Sequence, residues 1–225
     1  MNKKIFIACD TNKISTAKKI INSTRTNKIN IGYKFGLEFW NSKNGRSFIS
    51  KLKNKVIFAD LKLLDIPNTC RSAIKSIKDI KNINYLTVHV SGGLEMLKTI
   101  KRVSGKIKIL GVTTLTSLDN RALKQIGYNK NVKQLVLHQA KLAKLAKLDG
   151  IISSPHEVKF LKEICKDMEI ITPGIRLKGD KAHDQKRITT PKEAFKNGAT
   201  SIVIGRSITK GSIKKNIQKL INSLN

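Results

Sequence analysis

Acidic side chains are scarce: fifteen Asp and Glu stand against forty-five Lys and Arg in 225 residues, a formal charge of +30. A surplus of that size ordinarily points to a polyanionic partner. Here the basic residues are spread along the whole chain instead of being gathered in one arm, and aromatics make up only 5%, so stacking platforms for single strands are few. No specific nucleic-acid partner is expected, whereas an attraction for anionic metabolites follows from the same charge. Cysteine is sparse too. Cys9, Cys70 and Cys165 are widely separated and odd in number, with no C-x-x-C, which argues against a disulfide framework or a cysteine zinc site and for reduced thiols packed as small apolar groups. There is no H-x-H, no clustered Cys and His, and no G-x-G-x-x-G after the first apolar run, so neither a metal nor another cofactor is expected. Long apolar runs are also lacking. The N-terminal run stops at Asp10, too early for a signal-peptide core or a membrane span, and the expectation is a cytoplasmic protein with no membrane partner.

No Pro/Ser-rich linker or internal repeat divides the chain, so one domain over residues 1–225 is the simplest organisation. What the chain does contain is a regular alternation. Short apolar runs predict strands at Ile5–Cys9, Ile29–Phe35, Val56–Ala59, Tyr85–His89, Ile107–Val112, Gly150–Ile152, Ile170–Thr172 and Ser201–Ile204. Between them lie helical patterns: about 13–23 with Ile14, Ala17, Ile20 and Ile21 on one face, one carrying Phe48, Ile49 and Leu52, one carrying Ala73, Ile74, Ile77 and Ile80, about 131–147, and a last one from Ser212. Ser154-Pro155-His156-Glu157 and Thr190-Pro191-Lys192-Glu193 both have the form of a capping box with proline at the first helical position, which predicts helix starts. Eight strands alternating with helices in one uninterrupted chain predict an α/β fold, the (β/α)8 TIM barrel, with its site at the C-terminal strand ends.

The stretch Asp60-Leu61-Lys62-Leu63-Leu64-Asp65-Ile66-Pro67-Asn68-Thr69 then stands out, because two acids flank a lysine just past the third strand. Taken alone it is either a salt-bridge network on a loop or chemistry. In a barrel, however, Asp10, Lys34, Asp60, Lys62, His89, Thr116, Arg176 and Arg206 all fall at or just beyond strand ends and would converge in one mouth. A lysine kept protonated by carboxylates can stabilise negative charge developing on carbon and then donate its proton. Gly205-Arg206 after the eighth strand suits a phosphate, or equally an ordinary turn. Arg176 and Gln185 flank a long loop from Gly174 to about Thr189, and loops of that length are often lids. His89 reads as a hydrogen-bonded structural residue, and His138, His156 and His183 as surface.

Taken together, the Asp10 strand end, Lys34-Phe35-Gly36, the Asp60–Thr69 stretch, Thr87-Val88-His89, Leu115-Thr116-Ser117, Thr172-Pro173-Gly174-Ile175-Arg176, Asp184-Gln185-Lys186-Arg187 and Val203-Ile204-Gly205-Arg206 resemble the orotidine 5'-phosphate decarboxylase family, in order and over nearly the whole chain. The resemblance implies cofactor-free decarboxylation of orotidine 5'-phosphate to UMP, the last step of UMP synthesis, in a homodimer with shared active sites. It implies that Lys62 protonates C6 as carbon dioxide leaves, with Asp60 beside it and Asp65 reaching in from the partner. Lys34 would bridge the acids and a ribose hydroxyl, Asp10 would bind ribose, and Ile66 and Thr69 would be substrate-binding, Thr69 from the partner. Thr116 would meet the pyrimidine edge, and Arg176, Gln185, Gly205 and Arg206 the phosphate. Departures from the family pattern are Cys9 and Thr11 around the first aspartate, Leu177 after Arg176, and Ser207 after Arg206. The alternative is a magnesium-dependent sugar-phosphate decarboxylase or aldolase on the same barrel, which the Ile66-Pro67-Asn68-Thr69 continuation disfavours.

Overall fold

The structure is a computed structural model that describes residues 3–180 and 188–224. Eight strands, β1 Lys4–Ala8, β2 Asn30–Gly36, β3 Val56–Leu63, β4 Ile83–His89, β5 Lys108–Val112, β6 Gly150–Ile152, β7 Glu169–Thr172 and β8 Ser201–Ile204, pair in parallel in chain order and close as β8 meets β1. This is the expected (β/α)8 barrel. The helices are α1 Ile14–Ser23, α2 Leu37–Trp40, α3 Gly45–Ser50, α4 Pro67–Ile77, α5 Gly93–Val103, α6 Asn120–Gln125, α7 Val132–Leu145, α8 Val158–Leu161, α9 Pro191–Lys196, α10 Arg206–Thr209 and α11 Ile213–Leu224.

Alternation along each strand sorts side chains into two cores. Outward residues such as Ile5, Ile7, Tyr33, Phe35, Ile57 and Leu86 join the inward faces of the helices: Ala17, Ile20 and Ile21 of α1, Ile74 and Ile77 of α4, Ile217 and Leu220 of α11. Inward residues Phe6, Phe58, Tyr85, Leu110, Ile171 and Val203 fill the barrel itself. The few aromatics are concentrated accordingly. Phe6 sits edge-on to Phe58 and Tyr85 at 5.1 and 5.2 Å between ring centres, and Phe35, Phe39 and Phe48 form a second group under α2 and α3. Gly32 is an inward position of β2 that must stay small, since a Cβ there would lie 2.8 Å from the Phe6 ring. Cys9, Cys70 and Cys165 are buried free thiols, and burial, with the neighbouring Asp10 charge adding to it, pushes the Cys9 thiol up to about 12.

Three boundaries differ most from the sequence-based expectations. β3 does not end at Ala59 but continues to Leu63, and α4 already begins at Pro67, so the expected 60–69 loop contracts to residues 64–66. Charged residues end the apolar run there, but the ladder to β4 resumes beyond them at Leu63 and Val88. The Ser154–Glu157 segment is a turn, buried except at His156, and α8 starts only at Val158. Glu157 does accept the Ser154 N–H at 3.0 Å, as a capping box requires, but its Oε2 also takes the Ser153 hydroxyl at 2.6 Å, tying the segment back to the strand end. The second box forms as expected: Thr190 and Glu193 satisfy each other's backbone N–H at 3.3 and 3.1 Å, with Pro191 opening α9. Short helices α6, α8 and α10 are too brief for periodicity to reveal. Among the described residues no helix is long and apolar enough to cross a membrane.

Candidate active site

Lys4, Phe6, Ala8 and Asp10 lie two residues apart along β1 and just beyond it, so they rise on one face through the barrel from floor to mouth. The same parity carries β2 from Gly32 to Lys34, β3 from Phe58 to Asp60, and β4 from Tyr85 to Thr87. At the mouth these positions meet. Lys34 Nζ lies 3.2 Å from Asp10 Oδ1 and 3.1 Å from Asp60 Oδ2, and Lys62 Nζ lies 2.8 Å from Asp60 Oδ1. Acid and base thus alternate, Asp10–Lys34–Asp60–Lys62, across three adjacent strands.

The last link depends on an irregular backbone. Between β3 and β4 the pairing jumps from Ala59 opposite Leu86 to Leu63 opposite Val88, leaving Asp60, Leu61 and Lys62 as a bulge facing Thr87. Lys62 itself has φ of 50°, left-handed backbone that costs a side-chain-bearing residue about 1–2 kcal/mol. Thr87, fully buried, bridges the bulge: its Oγ1 accepts the Lys62 N–H at 2.9 Å and donates to Asp60 Oδ1 at 3.0 Å. Non-glycine strain of this kind persists where the surroundings over-determine it, and it clusters at functional sites.

The electrostatics are those of a coupled array. Burial is the largest single influence on the Asp60 carboxyl and acts to raise its pKa, but the Lys34 and Lys62 ammonium groups and their hydrogen bonds outweigh it, and the carboxyl is held below the ordinary carboxylate range. For Lys34 burial likewise acts first, favouring the neutral amine, and the Asp60 and Asp10 charges reverse it, leaving the ammonium group above its usual value. Both residues therefore stay charged at neutral pH. His89, at the end of β4, is pushed down by burial and by the Lys62 charge against the opposing pull of Asp60, so it is neutral there. Lys62 differs from Lys34 in access: its side chain is 32% exposed against 11%.

A cavity of about 250 Å³ opens in front of this array. Its wall contains Asp10, Lys34, Asp60 and Lys62 on one side, Val112 at the end of β5 with Thr114 and Thr116 beyond it, and Arg176, Gly205 and Arg206 just past the ends of β7 and β8. Gly174 adopts φ of 78°, open to glycine, in the turn that brings Arg176 round to the wall. Arg176 is buried, its Nη1 donating to the Ile175 carbonyl at 2.9 Å, and the base of the long loop is closed by Arg176 N–H to Thr189 O at 2.9 Å. Asp65, Ile66 and Thr69 are exposed and lie outside the cavity wall of this chain, where Asp65 Oδ1 accepts the Ile66 N–H at 2.7 Å. Gln185 and His183 lie outside the described residues, and His138 and His156 are exposed. Sequence reasoning quoted Thr87 only within the Thr87-Val88-His89 stretch and gave it no role, and it did not name Ser153, which lines the wall. The available signal for Thr87 was its place on β4, two residues beyond Tyr85 on the same inward face and just below the mouth. Among the described residues no group of three or more His, Cys, Asp or Glu is placed to hold a metal ion.

A parallel barrel with an Asp–Lys–Asp–Lys array at its mouth suits reactions that build negative charge on a substrate carbon. The family model for orotidine 5'-phosphate decarboxylase / HUMPS matches residues 3–218. The chain belongs to that family. It is 43% identical over 223 residues, 96% of each chain, to the orotidine 5'-phosphate decarboxylase of Wolbachia pipientis subsp. Culex pipiens, and 41% identical over 217 residues, 94% of each, to that of Oenococcus oeni. Among solved structures, that of orotidine 5'-phosphate decarboxylase from Lactobacillus acidophilus superposes with a TM-score of 0.86 at 33% identity, covering 99% of both chains. Membership in the decarboxylase family thus extends over barrel and mouth alike.

Proposed function

We propose that this chain decarboxylates orotidine 5'-phosphate to UMP and carbon dioxide, the last step of UMP synthesis, as one domain acting in the cytoplasm. The observation that carries the reading is the Lys62 ammonium, 2.8 Å from a carboxylate held ionised and facing a cavity, in a chain of the orotidine 5'-phosphate decarboxylase family. As the bond from C6 to the substrate carboxylate breaks, its electron pair stays on C6 and carbon dioxide departs. Lys62, already charged, stabilises that pair and passes one N–H proton to C6; its partial exposure lets it regain a proton from solvent. The charge on carbon is met by Lys62, so the step balances with no cofactor. Asp60 holds Lys62 in place, and Lys34, fixed between Asp10 and Asp60, is available with Asp10 to the ribose. Thr116 faces the pyrimidine edge, and Arg176, Gln185, Gly205 and Arg206 take the phosphate. The net charge of +30 favours capture of so anionic a substrate.

Asp65 and Thr69 serve the neighbouring active site of a homodimer in this reading, with Ile66 substrate-binding. Its support is that Leu64 and Ile66, on either side of Asp65, are 56% and 67% exposed, an apolar pair that a partner subunit would cover. The reaction is tested by the ultraviolet absorbance change of orotidine 5'-phosphate with and without EDTA. Turnover that survives EDTA is expected; no turnover, or turnover abolished by EDTA and restored by magnesium, would refute the reading and favour the sugar-phosphate chemistry. The shared site is tested by mixing Lys62→Ala and Asp65→Ala proteins, each inactive alone. Random mixed dimers with one intact site should restore about a quarter of wild-type turnover, and no recovery in confirmed mixed dimers would sink the assignment.

A further inference from the structure

We propose that Thr87 is a positioning residue for the catalytic pair, fixing Lys62 through its backbone and Asp60 through its carboxylate with a single hydroxyl. The inference rests on the decarboxylase reading of the site and extends it to a residue that touches neither cavity nor substrate.

The geometry is specific to one atom. Thr87 Oγ1 accepts the Lys62 N–H at 2.9 Å, so its own proton is directed elsewhere, and it lies 3.0 Å from Asp60 Oδ1. That is the oxygen that also meets Lys62 Nζ at 2.8 Å, while Oδ2 faces Lys34 at 3.1 Å. The carboxylate therefore has a donor for each direction in which it could rotate. Thr87 lies fully buried on β4, at the point where β3 bulges and the regular ladder between these strands is interrupted. There the side chain substitutes for a missing backbone partner. Removing the hydroxyl leaves the Lys62 N–H and one lone pair of Asp60 without this partner and frees the bulge to relax. Lys62 is the residue with φ of 50° in that bulge, so relaxation swings its ammonium group relative to the cavity. Displacements of that kind weaken the chemical step much more than substrate binding, because the groups expected to hold the phosphate lie across the cavity at the ends of β7 and β8.

The test compares Thr87→Val, which keeps the shape and loses the hydroxyl, with Thr87→Ser, which keeps the hydroxyl. For Thr87→Val the expected result is a kcat lower by about 10- to 100-fold with KM little changed, and for Thr87→Ser near-wild-type kcat. Should Thr87→Val fail to fold, Thr87→Cys, a weaker donor at the same position, carries the same comparison and should fall between the two. Wild-type kcat in folded Thr87→Val, a change confined to KM, or equal losses in the Val and Ser proteins would overturn the proposal. Wild type is assayed in parallel: if it too fails to decarboxylate, the functional reading fails, whereas an active wild type with an unaffected Thr87→Val protein refutes the role of Thr87 alone.

Discussion

The barrel carries two charged arrays, one at each end, made of similar parts. At the mouth, Lys34 and Lys62 sit among Asp10 and Asp60; at the floor, Lys4 and Lys108 sit around Glu169 with the Tyr85 hydroxyl between them. The floor is taken up by internal pairs. Lys4 Nζ donates to Tyr85 OH at 2.6 Å and lies 4.8 Å from its ring centre, Tyr85 OH donates to Glu169 at 3.2 Å, and Phe6 and Phe58 pack directly above. The mouth opens instead on a cavity, with its key lysine on strained backbone and a third exposed. Charge composition alone does not distinguish chemistry from scaffold. What distinguishes them is whether a cation has room in front of it and a backbone that over-determines where it points.

The comparison breaks most visibly at Asp60. Asp60→Asn should lower kcat by about 10²–10³-fold, because Lys62 and Lys34 lose the charge between them, and steady-state kinetics would check it. The corresponding change at the floor, Glu169→Gln, should leave turnover intact and cost about 1–3 kcal/mol of stability in urea titrations, since two lysines then lose their counter-charge at a partly exposed site. Tyr85→Phe should cost about 1–2 kcal/mol, the worth of hydrogen bonds to charged partners, again with turnover intact.

The smallest effect is one of pH, and its sign differs between the ends. Asp60, with its pKa lowered, contributes stability that is present above an unfolded value near about 3.9 and is lost as pH falls through the folded value; Lys34, with its pKa raised, contributes stability that is present below about 10.4 and is lost as pH rises through the folded value. Lys4 runs the other way: burial, partly opposed by Glu169, holds its pKa down, so stability rises as pH climbs from the folded toward the unfolded value. Wild type minus Lys34→Met and wild type minus Lys4→Met, followed by denaturant unfolding through the alkaline range, should show slopes of opposite sign.

Most of the barrel was legible because strands buried on both faces must be continuously apolar, and eight such runs separated by helical patterns admit few folds. Most of the mouth was legible for the same reason: once strand ends are known, Asp10, Lys34, Asp60, Lys62, Arg176 and Arg206 are brought to one rim by topology. The hidden parts were those in which one side chain does a backbone's work. β3 runs on through charged residues because Thr87 stands in for the ladder there, and the Ser154–Glu157 box closes a turn because Glu157 is also claimed by Ser153. Neither pairing leaves a periodic trace in the sequence. The floor array was equally silent, since Lys4, Lys108 and Glu169 are single charged residues at strand starts, and only closure of the barrel brings them together.

The most direct test of the division between mouth and floor is one substitution made at both ends, Lys62→Ala and Lys4→Ala, with kcat and Tm measured for each. The expected result is a fall in kcat of about 10²–10⁴-fold for Lys62→Ala at nearly unchanged Tm, and a lowered Tm with unchanged kcat for Lys4→Ala. Turnover retained in folded Lys62→Ala, or lost to the same degree in folded Lys4→Ala, would contradict the account.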